Sequence, residues 1–176
     1  MNILGAVLAG GKATRFGSDK ALALLDGTAL IDHALASLRP YSATLVVVGR
    51  PSAPVATVPD LPFPDLGPLG GIAGALAHAA DHGFDAVLTT ACDTPTLSPE
   101  LIAALIAAAP AYAAEAPTIG LWPVRLAVPL LSYLLDDQPR AIRRWAVSEG
   151  AMPVLPGVAF ANINTLDDLT SLGQAG

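Results

Sequence analysis

Apolar residues along this chain fall into two alternating rhythms. Short unbroken runs closed by glycine or a turn come first: ILGAVLA at Ile3–Ala9, ATLVVVG at Ala43–Gly49 and FDAVLTTACD at Phe84–Asp93. Their length, β-branched content and glycine endings predict buried strands. Between them, apolar residues recur at helical spacing. ALIDHALASL predicts a helix with Thr28 as its N-cap, after a short extended ALALL that ends at the Asp26-Gly27 turn. GGIAGALAHAADHG predicts a small-residue helix over Gly70–Gly83. Ser98 caps PELIAALIAAA with Pro99 in the first turn, and Pro110 ends that helix. The stretch from Pro51 to Pro68 holds six prolines and predicts irregular chain. Farther on, APTIGLWPV predicts a strand, AVPLLSYLL and RAIRRWAVSEG predict helices, and AFANINTLDDLTSL predicts a strand, an Asn-rich turn and a last helix from about Thr165.

Strand and helix alternate through the first hundred residues or so, which predicts an α/β fold with a mostly parallel sheet flanked by helices. The 176 residues fit a single domain. Two halves are expected within it, about 1–100 and about 101–176. Ligands of such sheets bind beyond the carboxyl ends of the strands. The Gly10-Gly11 loop, Gly49 and the Cys92-Asp93 turn each follow a predicted strand at that end.

Composition narrows the function classes. Apolar residues make up 53% and charged ones 14%, with much of the excess in alanine. The longest uncharged apolar stretch, LIAALIAAAPAYAA, is 14 residues and contains Pro110, short of the roughly 20 that a spanning helix needs. The N-terminal MNILGAVLAGG has no cationic region before its apolar run, which disfavours a signal peptide. The single cysteine, Cys92, makes no internal disulfide, so a cytoplasmic protein is expected. A net charge of −6 with no basic run argues against nucleic-acid binding. Yet Lys12, Arg15 and Lys20 crowd within nine positions, a concentration of scarce cations that points to a small anionic ligand.

The loop LAGGKATRFGSDK matches neither the P-loop nor the G-x-G-x-x-G pattern. Gly10 and Gly11 still allow close backbone approach to a phosphate or base. Arg15 offers a planar fork and Lys20 a point charge. The alternative is a tight turn whose charges face solvent. Asp93, in CDTP after an apolar strand, suits Mg²⁺, and its alternative is a turn-capping acid. GPLGG before a helix suits either an anion or close helix–sheet packing. Asp60 and Asp65 suit a ribose or base, or simply a solvated loop. Cys92 reads as a core residue, and the histidines lack zinc spacing; His78 and His82 fall four apart near a helix end. No G-x-S-x-G elbow occurs.

Together, LAGG-x₃-R-F-G-x-DK-AL, GPLGG, CDTP and FANINTLDDL occur in one order from Leu8 to Leu169 and resemble the MobA-type nucleotidyltransferases, the molybdenum cofactor guanylyltransferases. The resemblance implies a Rossmann-like nucleotidyltransferase fold. It also implies transfer of GMP from GTP onto the phosphate of molybdopterin, with Mg²⁺ and release of pyrophosphate. It implies that Leu8, Ala9, Gly10 and Gly11 line the nucleotide, that Arg15, Lys20 and Asp93 are the catalytic set, and that Asp93 holds the metal. Asp60, seven residues before Gly67, matches the nucleotide-contacting aspartate, with Asp65 as fallback. Gly49 stands where members of the family carry Asn. Asn162 and Asn164 match paired asparagines on the acceptor side. Relatives with similar blocks transfer CMP or use sugar phosphates, and those making the cytidylyl form read LAAG. An absent Cβ at Gly10 is therefore expected to leave room for guanine. NTLDDL departs from the family's usual NTPEDL, and 110–150 carries no placed motif. Transient contact with proteins that make or deliver the cofactor also follows from the resemblance. A non-catalytic nucleotide-binding module is the remaining alternative.

Overall fold

The computed structural model describes residues 1–10, 19–94, 96–136 and 138–155. In chain order the strands are β1 (Ile3–Leu8), β2 (Leu24–Leu25), β3 (Thr28–Ala29), β4 (Thr44–Val48), β5 (Ala56–Val58), β6 (Ala86–Ala91), β7 (Ala111–Ala113), β8 (Gly120–Pro123) and β9 (Met152–Val154). The helices are α1 (Leu30–Leu38), α2 (Pro68–Asp81), α3 (Pro99–Ala108), α4 (Ala127–Leu135) and α5 (Ile142–Ser148). Among the described residues, seven strands form one sheet in the order β5-β4-β1-β6-β8-β7-β9. The block β5-β4-β1-β6 is parallel, whereas β8 runs antiparallel to both β6 and β7.

Both faces of this sheet are covered, which explains why its strands read as unbroken apolar runs. In β1, Leu4, Ala6 and Leu8 join a core with Leu69, Ile72 and Leu76 of α2 and with residues of α4 and α5. Ile3 and Val7 point the other way, into a core with Ile31 and Leu35 of α1 and Ile102 and Leu105 of α3. The alternation along β4 is the same: Val46 and Val48 on one side, Val47 on the other. Toward β8, Trp122 packs 5.0 Å from Trp145 and donates through Nε1 to Thr89 Oγ1 at 3.0 Å.

Several sequence expectations change. Thr28 does not cap α1. Asp26 and Gly27 both take positive φ, 51° and 77°, and close a two-residue hairpin that pairs Leu25 with Thr28. The Leu30 amide donates instead to the Ala23 carbonyl at 2.9 Å, so the helix starts without a side-chain cap. The ALALL stretch divides into a 3₁₀ turn at Lys20–Leu22 and β2. The proline-rich segment contains β5, which fits at the sheet edge, where prolines on either side cost no ladder bonds. β7 and β9 have three residues each, too few to show a period. α4 spans AVPLLSYLL, as expected, and Ser98 Oγ accepts from the Leu101 amide at 3.2 Å as the cap of α3. The tail expectations lie outside the described residues.

Candidate active site

The parallel register brings three strand ends level. Leu8 stands opposite Val48 on one side and Ala91 on the other. The ladder continues one step further: Ala9 N donates to Val48 O at 3.0 Å, Gly49 N to Val58 O at 3.0 Å and Cys92 N to Leu8 O at 3.3 Å. Gly10, Gly49 and Asp93 therefore share one edge, as the three sequence signals implied.

Gly10 and Gly49 meet backbone to backbone. A Cβ on Gly49 would lie 2.5 Å from Gly10 Cα, and one on Gly10 would lie 2.9 Å from Gly49 Cα. Gly49 also has φ +81°, a conformation L side chains rarely adopt. Asp60 is the third member: a Cβ on Gly10 would stand 3.4 Å from its Oδ2, and one on Gly49 would stand 3.0 Å from its Oδ1. The vacant direction at Gly10 thus points toward Gly49 and Asp60.

What holds Asp60 there is α2. Leu61 N donates to Gly70 O at 3.0 Å, and Cβ atoms at Gly70 and Gly74 would run into Leu66 and the Pro59 carbonyl. Gly70 of GPLGG and Gly74 one turn further on let the helix lie close against the Pro59–Leu61 backbone. Asp60 is half-buried, and its carboxyl is pushed above the usual range by that burial, then by the negative charge of Asp65. Asp65 itself is exposed, with φ +64°.

On the other side of β1, Lys20 Nζ stands 3.2 Å from Asp93 Oδ2, joining positions 73 residues apart. Lys20 opens the 3₁₀ turn whose cap is Asp19, and Asp93 lies in the turn after β6, where Thr94 N donates to Ala91 O at 3.1 Å. Neighbouring Cys92 is partly buried, and burial first, then the Asp93 charge, pushes its thiol up to about 11. It packs against the core, and a thiol raised in this way is a poor nucleophile at neutral pH.

Sequence reasoning missed Arg50. Its Nη1 and Nη2 donate to Asp19 Oδ1 and Oδ2 at 2.7 and 2.5 Å. One signal was present: Arg50 is one of only nine Lys and Arg residues, and it directly follows the strand-ending Gly49. Of the other expected site residues, Leu8 packs in the core beneath this edge, and Gly11, Arg15, Asn162 and Asn164 lie outside the described residues. Among the described residues no three His, Cys, Asp or Glu side chains gather as a metal cage. Asp93 alone still suits Mg²⁺, which is commonly held by one or two carboxylates plus substrate phosphates. No helix among the described residues is long and apolar enough to cross a membrane.

A family model for the MobA-like NTP transferase domain matches residues 5–155. A protein named molybdenum cofactor guanylyltransferase from Rhizobium johnstonii is 38% identical, covering 96% of this chain and 90% of its own. One of the same name from Rhodobacter capsulatus is 38% identical over 96% of this chain and 94% of its own. Among solved structures, molybdopterin-guanine dinucleotide biosynthesis protein A from Archaeoglobus fulgidus superimposes with a TM-score of 0.74 at 24% identity, covering 98% of this chain and 97% of that one. The 2-C-methyl-D-erythritol 4-phosphate cytidylyltransferase from Thermus thermophilus does so with 0.73 at 16% identity, covering 99% and 98%. At those identities the two structures establish the Rossmann-like fold alone.

Proposed function

The chain belongs to the MobA-like NTP transferase family and is a nucleotidyltransferase, and we propose that it moves GMP from GTP onto the phosphate of molybdopterin with release of pyrophosphate. The observation that carries this reading is the meeting of Lys20 and Asp93, 3.2 Å apart at the same sheet edge as Gly10, Gly49 and Asp60. A cation and a metal-suited carboxylate side by side match a reaction between two anions. The names of the relatives support the choice of GTP and molybdopterin.

In the step proposed, a phosphate oxygen of the acceptor attacks the α-phosphorus of GTP. A new phosphorus–oxygen bond forms, the α–β bridging bond breaks, and its electrons leave with pyrophosphate. The nucleophile belongs to the substrate, so no serine or cysteine is required, in keeping with a partly buried Cys92 whose thiol is pushed up. Lys20 sets its charge against the phosphates. Arg15 is proposed beside it. Such fixed charges act more strongly than in water because they need no reorganisation as charge develops. Asp93 would hold Mg²⁺, which when bound neutralises phosphate charge. Leu8, Ala9, Gly10 and Gly11 would approach the nucleotide through their backbone, and Gly49 would close the floor beneath it. Asp60, short of solvent, would take hydrogen-bond donors from the nucleotide in place of water. Asn162 and Asn164 are proposed on the acceptor side, in the half at about 101–176. The lone cysteine supports a cytoplasmic setting, with transient contact to proteins that make or deliver the cofactor.

The test is product identification. Purified protein, Mg²⁺, molybdopterin and each of the four NTPs in turn should yield GMP-capped pterin and pyrophosphate from GTP. Equal yield from CTP would reassign the base, and pyrophosphate from none would leave a nucleotide-binding module.

A further inference from the structure

Arg50 belongs to none of the blocks that mark this chain, yet among the described residues it makes a closer side-chain ion pair at this edge than Lys20 makes with Asp93. Its guanidinium donates to both oxygens of Asp19, at 2.7 and 2.5 Å, and Nε reaches the Ser52 carbonyl at 3.4 Å. The arginine side chain is only 16% exposed. Bidentate pairs of this kind are the exception to the weakness of surface ion pairs, because two parallel bonds fix an angle as well as a distance.

Asp19 has a second task. Its Oδ1 accepts from the Ala21 amide at 3.2 Å and so caps the turn Lys20–Leu22. Lys20 is the first residue of that turn, and its Nζ stands 3.2 Å from Asp93. The carboxylate that Arg50 grips is therefore the one that determines where the Lys20 turn begins. Arg50 in turn is delivered by Gly49, whose φ of +81° redirects the chain as it leaves β4.

We infer that Arg50 is a positioning residue for phosphate binding: through Asp19 it anchors the turn that aims Lys20. Both terminal nitrogens of Arg50 are engaged by Asp19, so it acts through that carboxylate. In accord with this, the hydrogen bond from Arg50, foremost among the causes, holds the Asp19 carboxyl below its usual range. This inference rests on the proposed role of Lys20 toward phosphate.

The experiment measures binding of inorganic tripolyphosphate with Mg²⁺ by calorimetry, a probe with neither base nor acceptor. Arg50→Gln should weaken binding about tenfold, the scale of losing a charge-assisted bidentate pair. Arg50→Lys, which keeps the charge but not the fork, should fall between. In a Lys20→Ala background the same Arg50→Gln change should have no further effect, an outcome a merely structural role would not produce. Should Arg50→Gln fail to fold, Asp19→Asn replaces it, because it keeps an acceptor for the Ala21 amide and loses the charge and one of the two oxygens that Arg50 grips. An equal loss in both backgrounds, no loss in either, or no tripolyphosphate binding by the unmodified protein would overturn the inference. GTP turnover is measured alongside. Turnover with additive binding effects sinks the clamp and leaves the proposed function standing, whereas coupled binding without turnover does the reverse.

Discussion

Replacing Gly10 by alanine adds one methyl group where two backbones touch. The new Cβ would lie 2.9 Å from Gly49 Cα, 3.2 Å from Gly49 O and 3.4 Å from Asp60 Oδ2. The first contact is closer than real Cβ atoms tolerate, and both of the nearest atoms are main chain. No rotamer change relieves them. The ends of β1 and β4 must part, although Ala9 N and Val48 O hold them at 3.0 Å. Overpacking of this kind costs about 1–3 kcal/mol. For a domain of this size that is a fall in Tm of roughly 2–12 °C. Because the methyl points at Gly49 and Asp60, the damage should reach every nucleotide. The sequence suggested instead that Gly10 spares room for guanine, which would make GTP use suffer more than CTP use. Thermal unfolding and turnover with GTP and CTP decide between them. The geometric account expects a lower Tm and parallel losses on both nucleotides. An unchanged Tm with a loss confined to GTP would refute it.

Lys20→Ala should keep the fold and lower GTP turnover by roughly 10²-fold or more, the scale of removing a principal electrostatic stabiliser; near-native turnover would take Lys20 out of the site. Asp93→Asn should abolish activity, with added Mg²⁺ restoring little of it in a metal titration; normal turnover at low Mg²⁺ would leave Asp93 a turn residue. Asp60 has its folded-state pKa raised above the usual 3.8, so the folded protein holds that proton more tightly than the unfolded chain. Its contribution is favourable below that value and is lost as pH rises through the folded pKa. The Tm of Asp60→Asn relative to wild type should therefore improve from pH 3 to pH 7 while nucleotide affinity falls, and a relative Tm that worsens with pH would contradict the sign. With its pKa at about 11, Cys92 should be roughly one part in a thousand thiolate at pH 8 and react slowly with Ellman's reagent, the rate rising with pH toward 11. Rapid labelling at pH 8 would contradict its burial.

The long parallel strands were legible because burial on both faces leaves an uninterrupted apolar signature at Ile3–Leu8, Thr44–Val48 and Ala86–Ala91. Their glycine and aspartate endings fall together at one edge of the sheet, as their place after each strand implied. The glycines of α2 were legible as a signal but ambiguous in meaning, since an anion and a close backbone ask for the same missing Cβ. The close approach of Gly74 to the Pro59 carbonyl accounts for the glycine at that position by packing alone. The pairing of Arg50 with Asp19 bridges 31 residues and follows no period, so nothing local announces it. Thr28 misled because a good capping residue also suits a strand, and the Asp26-Gly27 turn decided the matter. The three-residue strands β5, β7 and β9 owe their existence to the neighbour that each pairs with.

The proposed reaction transfers a nucleotidyl group through the α-phosphorus of GTP. GTP labelled at the α-phosphorus in one tube and at the γ-phosphorus in another, each with Mg²⁺ and molybdopterin, tests it directly. The α label is expected on the pterin, one for each pyrophosphate released, and the γ label is expected to leave entirely with pyrophosphate. Label from the γ position on the pterin, or α label that never leaves GTP, would contradict it.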